Sequence, residues 1–141
     1  MKKLFSLFLL IIALISFSCK DDATGPGGGG LGGGGGTGGG SVTFTVALVQ
    51  DQQTQKYYFE FKPSVAVVIN TITINCAAAN VNNVQVTDNG TTVYTSTDMA
   101  YVEIPDPNVL AQGQQWTFTI AGKLGSSTGT AYSVTATCNI Q

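Results

Sequence analysis

Apolar and polar residues alternate one for one across most of residues 41–141, and this two-residue period is the strongest constraint on what the chain can fold into. Successive side chains of an extended strand point to opposite faces, so the period marks strands with one face buried. Val42, Phe44, Val46 and Leu48 share one face, with Thr43, Thr45 and Ala47 on the other. Tyr57, Phe59 and Phe61 face inward and leave Lys56, Tyr58, Glu60 and Lys62 outside. Val65 to Ile69 has the opposite parity to Ile72, Ile74 and Cys76, which predicts a bend or bulge near Asn70. Val84 and Val86 lead into Asp88-Asn89-Gly90, and Thr91 to Thr97 is expected to return as a hairpin partner. Val102 and Ile104 precede Pro105-Asp106-Pro107-Asn108, which must leave the sheet because two prolines remove ladder donors. Trp116, Phe118 and Ile120 form the next alternating set, a loop is expected over residues 122–130, and Tyr132, Val134, Ala136, Cys138 and Ile140 close the chain. No stretch has a helical period.

Seven or eight short strands separated by turn signals predict an all-β domain of two antiparallel sheets packed face to face, a β-sandwich. About 100 residues is the commonest size for a single compact domain.

Before this domain the composition changes abruptly. Residues 27–30, 32–36 and 38–40 are all glycine, broken only by Leu31 and Thr37. Glycine loses the most backbone entropy on ordering and has no side chain to bury, so such a tract is expected to remain a coil. Residues 19–40 therefore read as a tether that spaces the domain about 20 to 25 Å from its attachment point. A Gly-x-Gly-x-x-Gly search matches this tract trivially, but a nucleotide fingerprint needs a strand before it and a helix after it.

The first residues read as an address. Met1-Lys2-Lys3 is cationic, Leu4 to Phe17 is apolar, and Ser16-Phe17-Ser18 supplies a small-residue cleavage site before Cys19. The apolar run is shorter than the roughly 20 residues needed to span a bilayer. A plain secretory signal is the nearer rival, but it would leave Cys19 as an exposed thiol in an oxidising compartment.

Ser16-Phe17-Ser18-Cys19 resembles the lipobox of bacterial lipoproteins, which implies a signal peptide over residues 1–18 and acyl chains on Cys19. Each buried methylene contributes about 0.8 kcal/mol, so two or three chains would anchor the protein to a membrane without spanning it. Lys20-Asp21-Asp22 looks like the export tag of surface lipoproteins in the Bacteroidota. That resemblance implies an outer-membrane location facing the cell exterior. In the sorting rule of enteric bacteria an aspartate directly after the lipidated cysteine retains a lipoprotein at the inner membrane, and here that position is Lys20.

The sequence has three cysteines. If Cys19 carries lipid, Cys76 and Cys138 remain, and strand parity turns both inward. In an exported protein they read as a disulfide, with two buried free thiols as the alternative. Closing a loop of this length would stabilise the fold by about 4 kcal/mol in the chain-entropy model.

At the level of pattern the domain is similar to immunoglobulin-like and fibronectin-type-III-like sandwiches of bacterial surface proteins. The tryptophan and tyrosine landmarks of true immunoglobulin domains are displaced: Trp116 lies far beyond Cys76, and Ala136 stands two residues before Cys138. Only the layout carries over.

Composition removes several chemistries. Histidine is absent and all six basic residues are lysine, so the commonest general base and bidentate arginine recognition are both missing. The carboxylates Asp51, Glu60, Asp88, Asp98, Glu103 and Asp106 fall at turns or outward positions, which favours solvated charge over a catalytic pair. Asp106 with Asn108, and Asp88 with Asn89, lack the spacing of a calcium loop. No cofactor or metal is expected. Within 41–141, three lysines against six acids leave a net charge of −3, the wrong sign for nucleic acid. Tyr58, Tyr94 and Tyr101 form a candidate aromatic surface for a protein or glycan partner, against the plainer reading that they cover the edge of the core. The expected role is non-enzymatic: a binding or structural module, with a carbohydrate-binding module or a fibre subunit as alternatives. Three coplanar exposed tyrosines would favour carbohydrate.

Overall fold

The computed structural model describes residues 42–141. The signal segment, Cys19, the Lys20-Asp21-Asp22 tag and the glycine tract lie outside the described residues. Alternation has produced eight strands: β1 (Phe44–Gln50), β2 (Tyr57–Pro63), β3 (Val67–Cys76), β4 (Val81–Thr87), β5 (Val93–Tyr94), β6 (Ala100–Ile104), β7 (Gln115–Leu124) and β8 (Ala131–Asn139). The only helical pieces among the described residues are two 3₁₀ turns, Ala77–Ala79 and Pro107–Val109. The second begins where the Pro105-Asp106-Pro107 segment leaves β6, as the proline argument requires.

One sheet, sheet A, has the order β1-β2-β6; the other, sheet B, has the order β4-β3-β7-β8, with β5 also paired to β3. All pairs are antiparallel. Most of the inward sets predicted from parity are buried, among them Val46, Leu48, Phe59, Phe61, Ile72, Ile74, Val102, Trp116, Phe118 and Ile120, while Tyr57, Tyr132, Val134 and Ala136 are half-buried against them. Aromatic rings join the two sheets. Phe59 lies 4.8 Å from Phe118 and 5.1 Å from Trp116, and Phe61 lies edge-on to Phe118 at 5.0 Å. Such offset and edge-to-face pairs add about 0.5–1.5 kcal/mol each beyond area burial. On one side of the sandwich β1 lies alongside β8, with the Phe44 and Tyr132 rings 6.1 Å apart.

The parity change near Asn70 is a bulge. The pairing of β3 with β7 shifts register between Ile69 and Thr71. Val67, Val68 and Ile69 are buried while Asn70 is exposed, so the extra residue restores the inward face for Ile72 and Ile74.

Two expectations are corrected. Asp88-Asn89-Gly90 does not close a hairpin. β4 and β5 both run antiparallel to β3, with Thr87 opposite Thr71 and Val93 opposite Val68. They are successive pieces of one interrupted edge strand. The turn residues form an excursion within it: Asn89 Oδ1 accepts from the backbone N–H groups of Thr91 and Thr92, Gly90 supplies φ +70°, and the Asp88 N–H bonds the Asn70 carbonyl. The bulge in β3 breaks the edge it offers, and the neighbouring strand breaks with it. The expected return strand shortens to Val93–Tyr94, and β7 extends through Leu124 into the segment expected to be loop.

The second correction concerns Cys76 and Cys138. Both face inward and are buried, at 2 % and 0 % exposed, but Cys76 is a free thiol and is not bonded to Cys138. Asn75 pairs with Thr117, which places Cys76 level with Trp116, and Trp116 pairs with Cys138. A whole strand separates the two cysteines. Two strand spacings of about 4.8 Å exceed the roughly 7 Å Cα separation that a disulfide can bridge.

Candidate functional site

The acidic side chains are committed to local structure. Asp51 accepts from the Gln53 N–H and the Thr54 hydroxyl at 2.8 and 2.9 Å, and these bonds hold its carboxyl below the usual range. Asp98 is lowered in the same way by the hydroxyl and N–H of Thr95, at 2.7 and 2.8 Å. Asp106 caps the second 3₁₀ turn by accepting from the Asn108 N–H and side-chain amide. Glu103 pairs with Lys56 at 2.8 Å across the outer face of sheet A, which raises the lysine pKa. Asp88 accepts a 3.0 Å bond from the Tyr94 hydroxyl. Among the described residues no three of His, Cys, Asp and Glu come together as metal ligands.

The three candidate tyrosines divide into a pair and an outlier. β2 and β6 place Tyr58 opposite Glu103 and Tyr101 opposite Glu60. This brings the Tyr58 and Tyr101 rings together diagonally, 6.3 Å apart at 85°. Tyr101 is 55 % exposed and donates to the Met99 sulfur at 3.3 Å. Burial, then the negative charge of Glu60, raises its pKa. Tyr94 belongs to sheet B, packs against the core and has its pKa raised by burial and then by Asp88. A stacking platform for a sugar ring needs coplanar aromatic faces, and two perpendicular rings with a third on the opposite sheet do not supply one.

What gathers at this place is a seam. Ala100, Tyr101 and Val102 of β6 and Ile72, Val86 and Tyr94 of sheet B line a cleft of about 120 Å³ between the sheets. Met99 is 40 % exposed at its end and Val84 is 49 % exposed on β4. Alternation does not single out Met99 or Val84, because it says which face a side chain takes and not whether anything covers it. A second missed feature lies at the other end of the strands. Gln114, the one buried polar residue among those described, accepts from the Trp116 indole and the Ala111 N–H and donates to the Val109 carbonyl. This pins the segment between β6 and β7 over the end of the sandwich.

The chain matches no protein-family model, and no curated protein or solved structure is similar enough to it to count as a match.

Proposed function

We propose that this chain is a lipid-anchored outer-membrane protein that holds a β-sandwich outside the cell as a non-enzymatic, protein-binding module. The anchor rests on the N-terminal signal pattern and on Cys19, with Lys20, Asp21 and Asp22 favouring export to the outer face. The binding role rests on one observation. Exposed apolar side chains concentrate on and beside β6, where Tyr101 and Met99 are both at least 40 % exposed next to Tyr58. An exposed tyrosine on an edge strand, with a second, half-buried tyrosine ring against it, is a typical anchor for a protein partner.

Mass spectrometry of the mature N-terminus tests the anchor: diacyl or triacyl Cys19 is expected, and an unmodified Cys19 would refute it. External protease on intact cells should remove the domain, whereas complete protection would place it facing the periplasm. A glycan array tests the carbohydrate alternative. Binding lost on Tyr58→Ala and Tyr101→Ala would replace the protein-partner reading.

A further inference from the structure

Sheet A has three ranks of strands and sheet B has four, counting β4 and β5 as one rank beside β3. The β1 and β8 sides meet, so the mismatch falls at the opposite side. There, among the described residues, no strand of sheet A covers β4 and β5. Val84 pairs with Ile74 and Val86 with Ile72, which puts all four side chains on the inner face of sheet B. Ile74 is 7 % exposed and Val84 is 49 % exposed. Neighbours on one face differ this much because no described strand of sheet A lies above Val84.

The wall of this vacancy is β6. It pairs with β2 over five successive residues without a register shift, and among the described residues no strand pairs with its other edge. An unpaired, regular edge is a row of backbone donors and acceptors ready to take another strand. The outer edge of β4 is less suited. Its pairing with β3 is irregular between Ile74 and Cys76, and Asn83 is in the left-handed region at φ 52°.

We propose that the β6 edge accepts an extended segment of a partner protein as a fourth strand of sheet A, lying over Val84, Val86 and Tyr94. This rests on the reading of the domain as a protein-binding module. Backbone pairing with β6 would supply affinity, and alternate side chains would supply specificity. The inward ones should be apolar and of valine size, to seat on Val84 and Val86. The outward ones run beside Tyr101 and Glu103, a carboxylate already shared with Lys56, on a domain of net charge −3, which favours lysine or arginine. A second copy's β6 does not fit, because it already lies over its own β3 and the two copies of sheet B would occupy the same space. The chain's own tract 19–40 does not fit either, because Leu31 is its only large apolar residue.

The test uses the full-length chain and a synthetic seven-residue peptide alternating lysine and valine, blocked at both ends. At millimolar peptide, the amides of residues 100–104 should exchange with solvent about tenfold more slowly. Val84→Asp should abolish this without disturbing the fold, since Val84 is half exposed, while Val65→Asp, exposed and outside the seam, should leave it intact. A peptide with glutamate for lysine should bind more weakly, and equal binding would overturn the charge assignment. No slowing in 100–104, slowing confined to β4, or slowing that survives Val84→Asp would overturn the proposal. Shifts at Tyr58 and Tyr101 without slower exchange in β6 would keep a binding surface and reject strand addition. Membrane attachment and surface display are read by separate experiments, so they stand or fall independently.

Discussion

Gln114 accepts the indole proton of Trp116 at 3.1 Å inside the core, and the same side chain ties Val109 and Ala111 to it. Gln114→Ala would leave the Trp116 N–H without that acceptor, and a buried unsatisfied donor costs about 1–3 kcal/mol. We expect a loss of that size in urea denaturation, followed by the fluorescence of the single tryptophan. An unchanged midpoint would show that water replaces the amide.

Cys76 fills a buried position as a free thiol, so its role is packing. Cys76→Ala should cost about 1 kcal/mol, the scale of removing a small buried group. Losing a 60-residue crosslink would cost about 4 kcal/mol instead. Comparing the denaturation midpoints of the two proteins separates these outcomes.

Gly122 lies on β7 between β3 and β8. It pairs with Tyr132 and with Ile69, next to the β3 bulge, and a Cβ there would run into the Val68 carbonyl oxygen. That carbonyl accepts from the Tyr132 hydroxyl at 3.3 Å, whose oxygen also crowds the Cβ site. Gly122→Ala should therefore destabilise the fold by about 1–3 kcal/mol through overpacking. Because the Tyr132 hydroxyl shares the blame, Tyr132→Phe in the same chain should recover part of the loss. Strict additivity in thermal unfolding would show that the two sites do not communicate.

Burial pushes the Tyr132 pKa up from 10.0 to about 12. A raised pKa favours the protonated form in the folded state, so its contribution is complete below pH 10 and is lost as pH rises toward about 12. Tyr132→Phe should remove from the ultraviolet titration a phenol that ionises near about 12 and flatten the fall in stability across this window. A late phenol step that survives Tyr132→Phe unchanged would contradict this environment for Tyr132.

The strand faces were legible because they are a local property. Val46, Phe59, Trp116 and Phe118 are buried because a pleated chain turns every second side chain to the same side. The parity flip between Ile69 and Ile72 likewise announced a bulge, since only an extra residue could reconcile the two halves of β3. Asp88-Asn89-Gly90 misled because its residues favour a reversal, yet whether a reversal closes a hairpin depends on which strand is free to pair. Bulged at Asn70, β3 took both β4 and β5 and left no partnership between them.

The amino-acid sequence alone therefore determined the two-sheet class, the inward residues and the limits on chemistry set by missing histidine and arginine. Tertiary structure alone decided strand neighbours: that Trp116 separates Cys76 from Cys138, that Tyr58 meets Tyr101 while Tyr94 does not, and that among the described strands β6 has a partner only in β2. Facing direction repeats every two residues and is written in the chain. Adjacency between strands is a long-range outcome of packing, settled by which sheets can cover one another.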